Sequence, residues 1–218
     1  AGYNRVAWDL RYDPPKQPAL RTLAPDNPHI WEEARFVGKR TRPITHWGIQ
    51  GPQKAGPLAL PGRYAVRLAA AGRTLTQPLE VLKDKEIATP DADLVASTKA
   101  QVRIRDDIDA AVGMINKLEV MRKQIEDQRK NGAVAAGSSD VAAALADVDR
   151  KMLDVELRLA SRSDLNSDDK YYVEPFKVYM GLIWLSGEVG SGAGDVAGGA
   201  EFRPTDASLA VLDDYERQ

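Results

Sequence analysis

Gly56-Pro57-Leu58-Ala59-Leu60-Pro61-Gly62-Arg63-Tyr64-Ala65-Val66-Arg67-Leu68, read together with the opening Gly2-Tyr3-Asn4-Arg5-Val6-Ala7-Trp8-Asp9-Leu10-Arg11-Tyr12, decides the fold. Tyr64, Val66 and Leu68 share one face of an extended chain, and Val6, Trp8 and Leu10 share one face of another, which is the period of two of a half-buried strand. Pro61-Gly62 turns the chain into the second of these strands, and Ala71-Gly72-Arg73 separates it from a third run over 74–82. The pattern predicts a hairpin, with Pro78 marking an edge or a bulge. The first strand starts at the beginning of the chain with nothing ahead of it to pair with, so we expect a sheet that lacks its N-terminal strands.

Three patterns carry a family resemblance: Gly-x-Asn-Arg-Val-x-Trp-Asp-Leu-Arg-Tyr at 2–12, Gly-Pro-x-x-x-Pro-Gly-x-Tyr-x-Val-Arg-Leu at 56–68, and Thr-Gln-Pro-x-x-Val at 76–81. Together they resemble the region that follows the β-propeller in bacterial sortilin-type, BNR-repeat proteins, which are often labelled glycosyl-hydrolase-like. The Trp-Asp and Pro-Gly-x-Tyr elements are similar to the immunoglobulin-like domain of flagellar hook-assembly proteins. The resemblance covers 2–12 and 56–85 and implies a partial immunoglobulin-like antiparallel β-sandwich over 1–85, followed by helices. It further implies that a propeller and at least two strands precede the Asn4 strand, that catalytic acids of the family would sit in the propeller, and that the protein is exported to the periplasm or beyond.

Composition narrows the partners. The 218 residues suffice for two small domains, and a net charge of −2 sets up no field for polyanions, so no nucleic-acid partner is expected. The absence of cysteine excludes disulfides and thiolate metal sites. No apolar run approaches the ~20 residues that cross a bilayer, so the chain is not expected to span a membrane.

Residues 13–55 form a proline-rich insertion, with Pro14, Pro15, Pro18, Pro25, Pro28, Pro43 and Pro52, that also carries Trp31, Phe36 and Trp47. Aromatic residues at this density predict an ordered insertion lying on a surface, either of this chain or of another polypeptide.

Beyond residue 85 the period lengthens to three and a half, and a second domain, 86–218, is expected. Ile104, Ile108, Ala111, Ile115, Leu118 and Ile125 form a seam broken only by Arg122, on one helix running from Thr89-Pro90-Asp91 to Asn131-Gly132. A second seam, Val141, Leu145, Val148, Met152, Val155 and Leu159, predicts a helix capped by Ser138 or Ser139 and folded back on the first. Leu153 and Leu157 call for a third helix, supplied from Glu174 to Leu185 with Phe176, Tyr179, Met180 and Ile183 on one face and Pro175 in its first turn. A glycine-rich loop over 187–199 and a short helix from Thr205 to Tyr215 complete an elongated three- to four-helix antiparallel bundle.

Candidates for chemistry are few. His29 and His46 lack a third ligand at usable spacing, so no metal is expected. No Gly-x-Ser-x-Gly elbow occurs, and Gly190-Ser191-Gly192-Ala193-Gly194 lacks the lysine and the preceding strand of a phosphate loop, so no cofactor is expected either. Asp9 follows a tryptophan, as sugar-site acids do, but its place at a strand end suits a turn acceptor. Asp168 and Asp169 suit helix capping, and Lys39-Arg40-Thr41-Arg42 is a basic cluster that suits a solvated turn, an acidic partner or a lipid headgroup.

The chain is therefore expected to be non-catalytic, a docking module whose open sheet edge and exposed aromatics receive strands from a preceding segment of the same protein or from another subunit. Asn4, Val6, Trp8, Trp31, Phe36, Trp47 and Trp184 are the interaction candidates. The alternative is a carbohydrate-binding accessory domain of a glycoside hydrolase, with Trp8, Trp31 or Trp47 stacking on sugars.

Overall fold

The computed structural model describes residues 2, 4–45, 55–130, 139–167, 174–190 and 201–218. Among them are one two-stranded antiparallel sheet, β1 (Gly62–Ala70) and β2 (Arg73–Val81), and five helices: α1 (Asp91–Lys130), α2 (Ser139–Leu159), α3 (Arg162–Asn166), α4 (Val178–Val189) and α5 (Asp206–Arg217).

The predicted hairpin is present. Its register pairs Tyr64 with Leu79, Val66 with Gln77 and Leu68 with Leu75. Ala71 and Gly72 both have positive φ, 48° and 74°, the signature of a two-residue type I′ turn. Pro78 causes no bulge, because it lies opposite Ala65 within a continuous ladder.

The sheet stops at two strands, however, and no sandwich forms among the described residues. Residues 4–10 are not a strand. The chain curls at 8–11 instead: Asp9 Oδ1 accepts from the Arg11 amide at 3.1 Å, the Trp8 indole N–H reaches Arg11 O at 2.8 Å, and Leu10 takes φ +60°. A left-handed leucine ends any extended run, so among the described residues only the antiparallel bridge of Arg11 with Leu58 remains of this strand.

Helix α1 spans the predicted range, and Ile104, Ile108, Ala111, Ile115 and Ile125 are buried along it. The predicted seam of α2 is half right. Leu159 is buried and Leu145 and Met152 are partly so, but Val141, Val148 and Val155 face solvent. Arg122 explains the difference. This guanidinium stands where α1 would present an apolar residue, and it draws Asp149 (3.0 Å) and Glu156 (2.5 Å) into the interface. Each acid lies one position after an expected valine, so the buried face of α2 is shifted toward Asp149 and Glu156 while still holding Leu145, Met152 and Leu159.

Helix α4 begins at Val178, after Pro175 rather than around it, and is buried on nearly every side, Gly187 and Val189 included. Gly190 closes it at φ +116°, and the rest of the glycine-rich run, 191–199, lies outside the described residues. An all-round apolar helix belongs at the centre of a bundle. Here α4 packs against α1, α2 and α5, with Leu153 and Leu157 against the same core. Ser161 and Asp164 form a reciprocal capping box on α3, a helix the sequence did not suggest, while Asp168 and Asp169 lie outside the described residues.

The described part of the insertion, 13–45, lies on this chain's own bundle. Residues 13–24 run extended along α1, with Pro18, Leu20, Thr22 and Ala24 turned inward. Helix side chains take up the strap's backbone donors. Asp109 accepts from Lys16 N at 2.6 Å, Asn116 from Ala19 N at 2.7 Å, Glu119 from the amides of Arg21 and Thr22, and Glu126 from Leu23 N at 3.0 Å. At the strap's start, Arg105 donates to Asp13 O at 3.3 Å. The lengths agree: the strap from Asp13 to Leu23 reaches roughly 33 Å at ~3.3 Å per residue, and the helix from Arg105 to Glu126 about 32 Å at ~1.5 Å. Leu20 and Arg42 then bridge antiparallel, and Ala24, Ile30 and Phe36 form a small separate core against Trp31.

Candidate docking surface

Among the described residues no helix makes an extensive contact with the hairpin, and burial falls away along its length. Tyr64, Leu79 and Val81 at its base are partly covered, whereas Val66, Leu68 and Leu75 are 52%, 58% and 63% exposed. These three, with Tyr64 and Leu79, stand on one face by the alternation of the ladder. The other face carries Arg63 and Arg67 on β1 and Thr74, Thr76 and Glu80 on β2. Such amphipathicity belongs to a strand pair with something on its apolar side.

The two edges, both unpaired among the described residues, differ. A two-residue I′ turn makes Ala70 and Arg73 a hydrogen-bonded pair, and bonded and non-bonded pairs then alternate down the ladder. Arg63, Ala65, Arg67 and Ala69 therefore aim their backbone groups out from β1, as Thr74, Thr76, Pro78 and Glu80 do from β2. Pro78 lacks an N–H, so the edge of β2 is missing a donor at its middle. The edge of β1 keeps all of its donors and acceptors.

Trp8 meets this base from the N-terminal segment. Its ring lies edge-on to Tyr64 with centroids 5.5 Å apart, and Tyr64 Oη donates to Leu60 O at 2.6 Å. Burial, then the neighbouring Tyr12, raises the Tyr64 hydroxyl above the ordinary tyrosine range. Tyr12 N donates to Pro57 O and Ala59 N to Leu10 O, both at 2.8 Å, which fixes 10–12 against 57–59. Asn4 is exposed and Val6 is 95% exposed beside this anchored stretch.

The remaining interaction candidates are not gathered here. Phe36 is buried in the small core of the insertion and is not available to a partner. Trp31 is partly buried next to it, ring centroids 6.4 Å apart, with its indole N–H on Thr22 O at 3.0 Å. Trp184 is half exposed on α4 and stacks on Phe176 at 5.8 Å. Trp47 and His46 lie outside the described residues. His29 is exposed and sits 3.2 Å from Glu32. Among the described residues no group of three or more His, Asp or Glu side chains is placed to hold a metal ion, and no helix is long and apolar enough to cross a membrane.

Sequence reasoning missed a second apolar surface, a groove of about 530 Å³ lined by Met114, Leu118 and Met121 of α1, Val155 of α2, Leu182 of α4 and Tyr215 of α5. Of the displaced valines of α2, Val155 lines it. It also missed the buried charge cluster: Glu119, Arg122 and Glu156 are all shielded from solvent. Burial, then the nearby Glu119 carboxylate, pushes the Glu156 carboxyl up to about 8 against the pull of Arg122. Compared with protein-family models, curated proteins and solved structures, the chain matches none.

Proposed function

We propose that this chain is a non-catalytic docking module, and that it engages its partner by accepting a strand along the free edge of β1 while covering the apolar face of the hairpin. One observation carries the reading: a two-stranded hairpin projects from the body with Val66, Leu68 and Leu75 more than half exposed on one face. An isolated two-stranded sheet is marginal in water, and an open edge beside apolar residues is an association site. The blunting of β2 by Pro78 leaves β1 as the receptive edge. An incoming strand that alternates apolar with acidic residues would place the first beside Val66 and Leu68 and the second beside Arg63 and Arg67.

The sequence resemblance supplies the setting. In it the strand donor is a propeller or sandwich segment of the same exported protein, or another subunit, and the site of action is periplasmic or extracellular.

Hydrogen exchange on the chain, with light scattering over a range of concentrations, tests the proposal. The amides of Arg63, Ala65, Arg67 and Ala69 are expected to exchange rapidly in the monomer and to become protected as the chain self-associates or meets a donor strand. A stable monomer in which those four amides are as protected as the core of α1 would overturn it.

A further inference from the structure

On the flank of the bundle opposite in role to the hairpin, three parts of the chain bring cations around one indole. Arg21 comes from the strap, Lys39 and Arg40 from the end of the small core, and Lys123 and Lys130 from the last turns of α1, lining a cavity of about 530 Å³ walled by Trp31. Glu126 is the one carboxylate in the lining among the described residues. It is shared between Lys123 at 3.0 Å and Lys130 at 2.9 Å, and Lys123 also reaches Asp127 at 2.7 Å. The other three cations have no carboxylate partner among the described residues: the Arg21 guanidinium donates to the Ala19 carbonyl, and Lys39 and Arg40 are exposed. Like charges gathered in a concavity raise the local potential and favour an anion there.

The wall is held in place. The Trp31 indole N–H is fixed on Thr22 O, Phe36 meets the ring edge-on, and the Arg42 guanidinium lies 5.8 Å from the ring centroid. Apart from Glu126, which its two lysines already engage, the cavity offers a ligand charge from side chains that donate but do not accept, and an apolar wall of Trp31 and Leu23. Among the described residues its lining has no neutral amide or hydroxyl side chain to read a base edge. A ligand with several carboxylates or sulfates spaced along rings with apolar faces matches that offer.

We infer that this cavity binds an acidic oligosaccharide, its carboxylates or sulfates on Arg21, Lys39, Arg40, Lys123 and Lys130 and a ring against Trp31. The site is separate from the hairpin and stands whether or not the docking proposal does.

Calorimetric titration of the full chain tests the site with hexamers of galacturonic acid and of sulfated glucosamine-uronate, with a neutral glucose hexamer, ATP and inorganic phosphate as comparisons. The acidic hexamers are expected to bind and to quench tryptophan fluorescence. Their affinity should fall about tenfold or more in Lys39→Ala/Arg40→Ala, and similarly as salt rises from roughly 50 to 300 mM. Both positions are exposed, and unchanged thermal unfolding would show that the variant is folded. Val66→Ser/Leu68→Ser in the hairpin, which adds no charge, should leave saccharide binding as it was, which separates this site from the docking surface. Absence of binding, equal binding of the neutral hexamer, tighter binding of ATP or phosphate, or full affinity in the double-alanine variant would each overturn the inference.

Discussion

Thr22 and Glu119 are joined twice: the Thr22 amide donates to one carboxylate oxygen and its hydroxyl to the other, each at 2.8 Å, with both residues buried. Glu119 also accepts from the Arg21 amide and lies 3.8 Å from Arg122. One helix carboxylate thus ends three strap donors and borders the charge cluster behind it. Thr22→Val removes only the hydroxyl bond and is expected to cost about 1–2 kcal/mol. Glu119→Ala strands the strap amides and leaves Arg122 short of an anion, with an expected cost of about 3–5 kcal/mol. In urea unfolding the double variant should show a coupling of about 1 kcal/mol, and 13–45 should become a site of early proteolysis in Glu119→Ala. A coupling near zero would mean that the strap does not rest on α1.

Glu156 sets a second expectation, for pH. The Glu119 carboxylate and the Arg122 guanidinium of α1 face it, Asp149 precedes it on α2, and Arg42 of the insertion lies near enough to act on it. Its folded pKa, raised to about 8 from 4.5, means that the native state holds this proton more tightly than the unfolded chain does. The contribution to stability is therefore fully present below the unfolded value and is lost as pH rises through about 8. The thermal midpoint should fall between about pH 5 and pH 9, by the equivalent of a few kcal/mol. Glu156→Gln keeps an acceptor for Arg122 without the ionisation, and should flatten that slope. A wild-type midpoint that does not change across this range would contradict the assignment.

These two networks mark the limit of what the sequence disclosed. The hairpin was legible because alternation and the Ala71-Gly72 turn are local signals, and α1 because its isoleucines repeat without interruption up to Arg122. The face of α2 was not, because apolar periodicity gives no weight to a buried arginine that selects acids for the interface. The strap was hidden for a related reason. Leu20, Thr22 and Ala24 alternate inward, but Leu23 falls out of phase and the strap's backbone donors are met by helix side chains from 93 to 103 positions away. The expected strand at 4–10 failed because a turn at Asp9 and Leu10 intervenes, and alternation alone does not show a single left-handed residue. Of the interaction candidates, Trp8 meets Tyr64 at the base of the hairpin and Phe36 is buried in a core, a difference the sequence does not show, since an aromatic in a proline-rich stretch has the same signature whether it docks or packs.

Gly56 tests the junction between the N-terminal segment and the sheet. A Cβ added there would stand 1.8 Å from Tyr12 O, a backbone atom that cannot step aside alone. The two backbone bonds that tie 10–12 to 57–59 and the Arg11 guanidinium bond to Gly56 O at 2.8 Å all depend on this approach. Gly56→Ala should release residues 4–12 at a cost of about 1–3 kcal/mol, with faster exchange at the Tyr12 and Ala59 amides and a shift in Trp8 emission. Helix α1 should keep its protection. Unaltered exchange at Tyr12 would show that the contact is looser than it stands here.

Gly181 makes the corresponding close approach inside the bundle. On α4 a Cβ at this position would lie 2.0 Å from Tyr215 Oη and 2.2 Å from its Cζ, so the tyrosine ring of α5 lies where an alanine methyl would be. That ring also lines the apolar groove between α1, α2 and α4. Gly181→Ala gains helix propensity but displaces the ring, and overpacking of this kind costs about 1–3 kcal/mol. Because the obstructing atoms are the far end of one side chain, shortening that side chain should relieve the strain. Gly181→Ala/Tyr215→Leu is expected to be more stable than the sum of the two single changes predicts, by about 1 kcal/mol or more in thermal or urea unfolding. Strict additivity would mean that α5 does not seat on α4 through this pair.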